Sequence, residues 1–258
     1  LFIQFFSVVA TSITGSTARD AFFLNLFDRS YLPLMFVAIA ITMVIVINIY
    51  KRITDGKNII QVITVSGIGC SSNLPGYINA YGMHTLHGRA LAVATGAQLG
   101  NHQIKIIATG GDGDGYGIGG NHFVHSMRRN VDLTYIVMDN QIYGLTTGQL
   151  SPTSIKGMKT KSTPLGSVEN PINPIPLAIA AGATYVARGF TGQVKHLVQL
   201  IKGGIQHRGF ALIDAFSPCV TYNHDNSHEF FKQRTQKLED LGHDPTDFRS
   251  AIERAYTW

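Results

Sequence analysis

From residue 58 onward, short apolar runs alternate with stretches whose apolar residues recur at helical spacing. The run 58–66 (NIIQVITVS) is largely apolar and stops at Gly67, the pattern of a parallel strand covered on both faces. Residues 87–100 (HGRALAVATGAQLG) place small and apolar side chains on one helical face. A second strand is predicted over 103–109, closed by a burst of glycines, then a helix over 119–129 and a third strand over 133–138. A loop holding Pro171, Pro174 and Pro176 leads into a helix at 175–181, a strand at 183–187, a helix at 192–206 and a last strand at 211–216 before Pro218. This alternation predicts an α/β fold, a doubly wound, mostly parallel sheet with helices on both faces. The segment 146–174 is long and polar, and is expected to be a functional flap.

The first 57 residues have another texture. Between residues 31 and 50 the run YLPLMFVAIAITMVIVINIY carries no charge and is about as long as a membrane span. Lys51, Arg52 and Lys57 follow, so a span there would leave the rest of the chain on the cytoplasmic side. A buried helix or strand is the competing reading, and a misread or incomplete N-terminus beginning at Leu1 is a third; the residues alone fit all three. No basic segment precedes the run and no small-residue cleavage site follows it, which argues against a signal peptide. The chain is therefore divided into an atypical hydrophobic segment, 1–57, and a binding domain, 58–258.

Composition narrows the function classes. With 45% hydrophobic and 14% charged residues, a disordered chain is excluded. The net charge is +5, yet no run of Lys or Arg exceeds two residues, so nucleic acid is not expected as a partner. Cys70 and Cys219 are too few for a disulfide scaffold and suit a reducing compartment, as buried thiols or as part of a metal site. A cytoplasmic location is expected, a tether through 31–50 being the lesser alternative.

Ligands of such sheets bind at the carboxyl ends of strands. Two predicted strand ends carry unusual polar groups, GGDGDG at 110–115 and DNQIYG at 139–144. Glycines around Asp112 allow close approach of an anion, and the following helix offers its N-terminal amides to phosphate. Phosphate beside Asp112 and Asp114 needs a cation between them, most simply Mg²⁺ with oxygen ligands from Asp112, the side chain of Asn140 and the carbonyl of Ile142. The residues between Asp112 and Asn140 suffice for one helix and one strand, which brings both to one sheet edge. Taken alone, Asp-Gly pairs are more often turns. The G-x-G-x-x-G match at 115–120 is a weak dinucleotide signal. His122 and His125 are a weak metal pair and, with His84, are read as structural.

The GDG…Asn pairing resembles the signature of thiamine-diphosphate enzymes. Longer strings resemble the β subunit of 2-oxoacid:ferredoxin oxidoreductases, the 2-oxoglutarate type in particular: SGIGCSSNLPGY at 66–77, YGMHTLHGRALAVATG at 81–96, the string from Gly110 to Ser154 that includes YGLTTGQLSPTS, and FSPCVTYN at 216–223. The resemblance implies a thiamine-diphosphate-binding fold in which Ile68, Gly69, Cys70, Ser71, His87, Gly88, Arg89, Ala90, Gly113, Asp114, Gly144 and Leu145 contact the cofactor. Asp112, Asn140 and Ile142 would hold Mg²⁺, and His87, Arg89 and Thr147 are the candidate catalytic groups. Many relatives carry Lys where Thr147 stands.

The implied reaction is CoA-dependent oxidative decarboxylation of a 2-oxoacid, with electrons passed to ferredoxin and with an α subunit as partner. The family's [4Fe–4S] cluster takes four cysteines, two from a Cys-Pro-Gly-Cys-Gly segment that this sequence lacks. Cys70 and Cys219 stand at the other two places, and two thiolates form an incomplete site, so a cluster is not expected on this chain. Thiamine chemistry also needs a carboxylic acid at the aminopyrimidine ring. The four glutamates, Glu169, Glu229, Glu239 and Glu253, lie outside the cofactor strings, so the acid is expected from the α subunit. A non-oxidative thiamine lyase and a non-catalytic cofactor-binding subunit are the alternative functions.

Overall fold

The computed structural model describes residues 61–256, with seven further helical positions at 33, 34, 37, 41, 42, 44 and 45. The chain divides into two units, Leu1–Ile59 and Ile60–Trp258, and the second carries the sheet. The rest of the apolar run 31–50, and with it the candidate membrane span, lies outside the described residues. Among the described residues no helix is long and apolar enough to cross a membrane.

Six strands form one sheet: β1 (Val62–Ser66), β2 (Tyr81–His84), β3 (Lys105–Gly111), β4 (Leu133–Asp139), β5 (Tyr185–Phe190) and β6 (Phe210–Phe216). They run in the order β2-β1-β3-β4-β6-β5, and every pair is parallel. The chain leaves β1 for β2 on one side and returns to β3 on the other, so the order reverses at the β1/β3 junction. In open parallel sheets that crevice is where ligands sit. Register places Ser66 opposite Thr109, Gly111 opposite Met138 and Asp139 opposite Phe216, so β1, β3, β4 and β6 finish along one edge. The central strands are buried almost throughout, as apolar runs in a sheet covered on both faces should be, while the edge strand β2 is mostly exposed.

Among the described residues of this unit, seven helices flank the sheet: α1 (Leu74–Tyr77), α2 (Ala90–Gly100), α3 (Gly120–Arg128), α4 (Pro174–Ala180), α5 (Val194–Gln206), α6 (His228–Arg234) and α7 (Phe248–Ala255). Leu91 and Ala94 of α2, Phe123 and Met127 of α3 and Ala178 of α4 share a core with Val65, Ile106, Tyr135, Val137 and Leu212. Leu197 and Ile201 of α5 pack instead on Ile136, Ala211 and Ile213, the alternate strand positions, and so cover the opposite face. Both faces are thus covered, as the alternation of elements predicts.

Several boundaries differ from the sequence reading for identifiable reasons. β3 runs two glycines further, because Gly110 and Gly111 pair with Val137 and Met138 of β4. α2 starts at Ala90 rather than residue 87, since Gly88 sits at φ 71°, outside helical space. α4 opens one residue early, with Pro174 in its first turn and the Asn173 side chain accepting from the Ile175 amide. The sequence reading does not anticipate α6 and α7, which are short and capped by Ser227 and Asp247.

The 146–174 segment departs most from expectation. Its SPTS stretch is no open flap: Ser151, Thr153 and Ser154 are buried inside the chain's own fold. Further on, paired backbone bonds between Gly157 and Ser167 and between Ser167 and Met158 tie the segment to itself.

Candidate functional site

Three stretches that are distant in sequence converge at the carboxyl ends of β1, β3 and β4. The loop after β1 is joined to β3 by the Gly67 amide, which donates to the Thr109 carbonyl (2.9 Å). After β3 the chain makes a wide π-helical turn, Gly113–Ile118, closed by the Gly119 amide donating to the Asp114 carbonyl (2.9 Å). Such turns recur at functional sites. Asp114 lies within this turn, 2% exposed. Its Oδ1 accepts from the amides of Ile68 (3.0 Å) and Gly88 (2.7 Å), so one carboxylate ties the loops after β1 and β2 to the turn after β3. His87 Nδ1 stands 3.2 Å from the same oxygen, outside good hydrogen-bond geometry. Burial raises the Asp114 carboxyl above its ordinary range, opposed by the two amides and by His87.

Asp112 begins the turn and is also 2% exposed. Both the Ser151 hydroxyl (2.5 Å) and the Thr153 hydroxyl (2.7 Å) reach its Oδ2. Thr153 Oγ1 also lies 2.8 Å from Asp139 Oδ1. A hydroxyl has one proton to donate, so Thr153 sits between the last residue of β4 and the first residue after β3 as a bridge. Burial raises the carboxyl of Asp112, and it raises that of Asp139 far more, reinforced by the negative neighbours Asp214 and Asp112. Asn140 follows Asp139 in an Asx turn, its Oδ1 accepting from the Ile142 amide (3.1 Å), while Asn223 Nδ2 donates to its carbonyl (3.0 Å). Ser154 Oγ donates to the Gln141 carbonyl (2.7 Å), and Asn226 donates to the Gln141 side chain.

A wider buried network supports the turn. Tyr116 donates to Asp214 Oδ1 (2.8 Å), and Arg188 Nε pairs with Asp214 Oδ2 (2.8 Å). Burial and the charges of Asp214 and Asp139 push the Tyr116 hydroxyl far above its ordinary range. The turn is therefore anchored from beneath by β5 and β6 as well as by β1 and β3.

The residues singled out from sequence fall into three groups. Asp112, Asn140 and Ile142 are brought to one sheet edge, with Thr153 joining the first to the residue before the second. Ile68, Gly69, Cys70, Ser71, His87, Gly88 and Asp114 gather around the Asp114 carboxylate and the loops it ties. Ala90 turns its methyl into the core. Gly113 lies under the Tyr143 ring, whose hydroxyl donates to the Gly113 carbonyl (3.0 Å). Cys70 and Cys219, both free thiols, bracket Gly144: a Cβ there would stand 3.5 Å from the Cys219 sulfur and 3.7 Å from the Cys70 sulfur. Arg89, Leu145 and Thr147 are exposed, with Arg89 Nη1 donating to the Gly88 carbonyl (3.3 Å) and Thr147 in a left-handed turn at φ 75°.

Ser151, Thr153, Asn223 and the Tyr116–Asp214–Arg188 network are not among the residues the sequence singles out, and Asp139, which opens the DNQIYG strand end, is given no role there. The SPTS and FSPCVTYN strings contain three of them, but strings do not say which hydroxyl meets which carboxylate.

The donor set suits a hard cation and a diphosphate. Asp112 is a buried carboxylate whose charge no cation of the described residues meets directly, which is the environment a divalent ion would compensate. Among the described residues, Ser71 Oγ, His87 Nδ1 and Asp114 Oδ2 are buried polar atoms without a hydrogen-bond partner, and they lie in the turn and in the loops around it. Backbone amides of a glycine-rich turn opening a helix are the usual partners of phosphate oxygens.

Comparison with known proteins identifies the family of the chain. Residues 67–215 match the thiamine pyrophosphate enzyme family, C-terminal TPP-binding domain, and residues 219–258 match the C-terminal family of the pyruvate ferredoxin oxidoreductase β subunit. The chain is 48% identical over 208 residues to 2-oxoacid:ferredoxin oxidoreductase 1, subunit beta, of Aeropyrum pernix, covering 77% of this chain and 65% of that one. It is 53% identical over 188 residues to the corresponding β subunit of Saccharolobus solfataricus, covering 72% and 62%. The chain thus spans less than two thirds of the length of these two relatives. A 2-oxoglutarate synthase subunit KorB of Methanothermobacter thermautotrophicus is 42% identical over 205 residues, covering 79% and 72%. A solved structure of 2-oxoglutarate:ferredoxin oxidoreductase from Magnetococcus marinus, with 2-oxoglutarate, coenzyme A and succinyl-CoA bound, superposes with a TM-score of 0.74 at 47% identity over 77% of this chain and 68% of that one. The chain belongs to the family of 2-oxoacid:ferredoxin oxidoreductase β subunits and carries that family's thiamine pyrophosphate-binding domain.

Proposed function

We propose that this chain is the β subunit of a 2-oxoglutarate:ferredoxin oxidoreductase, binding thiamine diphosphate through Mg²⁺ and acting together with an α subunit. The reaction is oxidative decarboxylation of the 2-oxoacid to its acyl-CoA, with two electrons leaving one at a time to ferredoxin, or the reverse. The observation that carries this reading is the placement of Asp112 and Asn140 at the ends of adjacent parallel strands, beside the topological switch. The substrate assignment rests on the relatives named for 2-oxoglutarate. In this reading residues 58–258 are the cofactor-binding domain, 1–57 stand outside it, and the location is cytoplasmic.

Thiamine diphosphate, when bound, supplies the electron sink that loss of the substrate carboxylate requires. Asp112, Asn140 and the Ile142 carbonyl would hold its metal, and the amides of the Gly113–Ile118 turn would face its phosphates. The loops carrying Ile68 to Ser71 and His87 to Arg89, both tied to Asp114, would flank it, with Gly144 and Leu145 on the third side. The exposed guanidinium of Arg89 is the cation nearest these loops in sequence and the candidate for the substrate carboxylate, with His87 and Thr147 as the other candidate groups.

All four glutamates of the chain are exposed, whereas the acid that activates the cofactor must be shielded and preorganised. That supports an acid supplied by the α subunit. Proton exchange at C2 of bound thiamine diphosphate, followed by nuclear magnetic resonance, tests it. The full chain alone should bind the cofactor with Mg²⁺ yet exchange no faster than free cofactor, and adding the α subunit should accelerate exchange. Fast exchange by the chain alone would place the acid on this polypeptide and sink the division of labour.

The paired sulfurs of Cys70 and Cys219 are suited to be two of the four thiolates of a cluster, and the sequence contains no other cysteine. The chain as it stands, reconstituted anaerobically with iron and sulfide, should therefore show no reduced-cluster electron paramagnetic resonance signal. Adding a Cys-Pro-Gly-Cys segment should produce one that is lost again in Cys70→Ser or Cys219→Ser. A signal from the unaltered chain would mean that other residues complete the site.

A further inference from the structure

The loop 151–154 is bound to the candidate metal residues more tightly than a passing connection requires. The hydroxyl oxygens of Ser151 and Thr153 both lie within hydrogen-bond reach of the same oxygen, Asp112 Oδ2, at 2.5 and 2.7 Å, Thr153 dividing its one proton between Asp112 and Asp139. The loop is itself locked in place. Ser151 donates its amide to Ser154 Oγ (2.8 Å), Ser154 donates that hydroxyl to the Gln141 carbonyl (2.7 Å), and Thr153 lies 2.8 Å from Asp139. Ser151, Thr153, Ser154, Asp112 and Asp139 are all buried. The carboxylate of Asp112 thus cannot rotate freely, and neither hydroxyl reaches its Oδ1.

Fixing one oxygen decides how a cation can use the other. Mg²⁺ takes near-octahedral oxygen ligands at about 2.0–2.1 Å and uses a carboxylate through one oxygen. Ca²⁺ takes six to eight ligands at about 2.3–2.6 Å and readily uses both oxygens of one carboxylate. A carboxylate with one oxygen held by the Ser151 hydroxyl and by the shared Thr153 hydroxyl offers only the first mode. We infer that Ser151 and Thr153 are positioning residues that hold Asp112 to single-oxygen coordination and so set the preference of this site for Mg²⁺ over Ca²⁺. This rests on the reading of Asp112 as a ligand of the cofactor's metal. Neither hydroxyl touches the metal; both act through Asp112.

The test is thiamine diphosphate affinity, measured by calorimetry on the complex with its α subunit, with Mg²⁺ alone and with Ca²⁺ alone. Removing both hydroxyls in Ser151→Ala/Thr153→Val should lower the ratio of the Ca²⁺ to the Mg²⁺ dissociation constant about tenfold, the effect of roughly one hydrogen bond of about 1.4 kcal/mol. Thr153→Ser keeps the hydroxyl and should keep the wild-type ratio. Equal weakening with both ions, the ratio unchanged, would overturn the inference and leave the two hydroxyls a structural role. Should the double variant fail to fold, as judged by melting in cation-free buffer, Ser151→Ala alone is measured, with about a threefold fall in the ratio expected and an unchanged ratio again overturning the inference. Absence of any cation-dependent binding by the wild-type complex would overturn the functional reading itself, an outcome distinct from an unchanged ratio.

Discussion

Replacing Asp112 by alanine should abolish Mg²⁺-dependent binding of thiamine diphosphate. Loss of a partner that merely supports a metal ligand costs about 10–100-fold in metal affinity; loss of the carboxylate ligand itself should exceed that, more than about 100-fold by calorimetry. Asp114, two residues on, should behave differently. Its Oδ1 accepts two backbone amides, from Ile68 and Gly88, and an asparagine oxygen accepts them as well. Asp114→Asn should therefore keep most of the affinity, whereas Asp114→Ala leaves the buried Gly88 amide unpaired, at about 1–3 kcal/mol of stability, and frees the part-buried Ile68 amide as well. The contrast separates a carboxylate needed for its charge from one needed for its shape. Unchanged affinity in Asp112→Ala would remove Asp112 from the metal site.

Arg188→Met should be among the most destabilising single substitutions in the domain. Asp214 is fully buried, with Arg188 on one oxygen and Tyr116 on the other. Taking away the guanidinium leaves a buried carboxylate without its cation, a loss of about 3–5 kcal/mol. Arg188 also lies 4.9 Å from the Phe216 ring centre, so some packing goes with it. Adding Asp214→Asn to Arg188→Met should restore much of the loss, because the uncompensated charge is then gone. Urea unfolding of the two single variants and the double variant reads the coupling directly. A loss below about 1 kcal/mol in Arg188→Met would show that the pair carries little of the fold's stability.

The alternation of strands and helices is legible along the chain because each buried strand is a nearly continuous apolar run and each helix repeats its apolar face at its own period. Both are local signals. The same locality explains where boundaries slip. Gly110 and Gly111 look like a loop in isolation but pair with β4 as strand, and residues 87–89 look helical but are held out of the helix by Gly88 and the carboxylate of Asp114. The proposed metal ligands Asp112 and Asn140 stand out for a different reason, since a GDG turn and a distant Asn at two strand ends form a pattern whose spacing fits one helix and one strand.

What only the tertiary structure decides is the set of partners. Ser151 and Thr153 meet Asp112, Tyr116 meets Asp214, and Cys70 and Cys219 flank Gly144, each over a long stretch of intervening chain. No periodicity records such pairings, because they follow from the strand order β2-β1-β3-β4-β6-β5 and from which loops that order brings to one edge. Hydrophobic pattern reports how deeply a residue is buried along its own element. Which polar group a buried carboxylate finds there depends on elements folded against it from elsewhere in the chain, and this protein places its most consequential hydrogen bonds at such meetings.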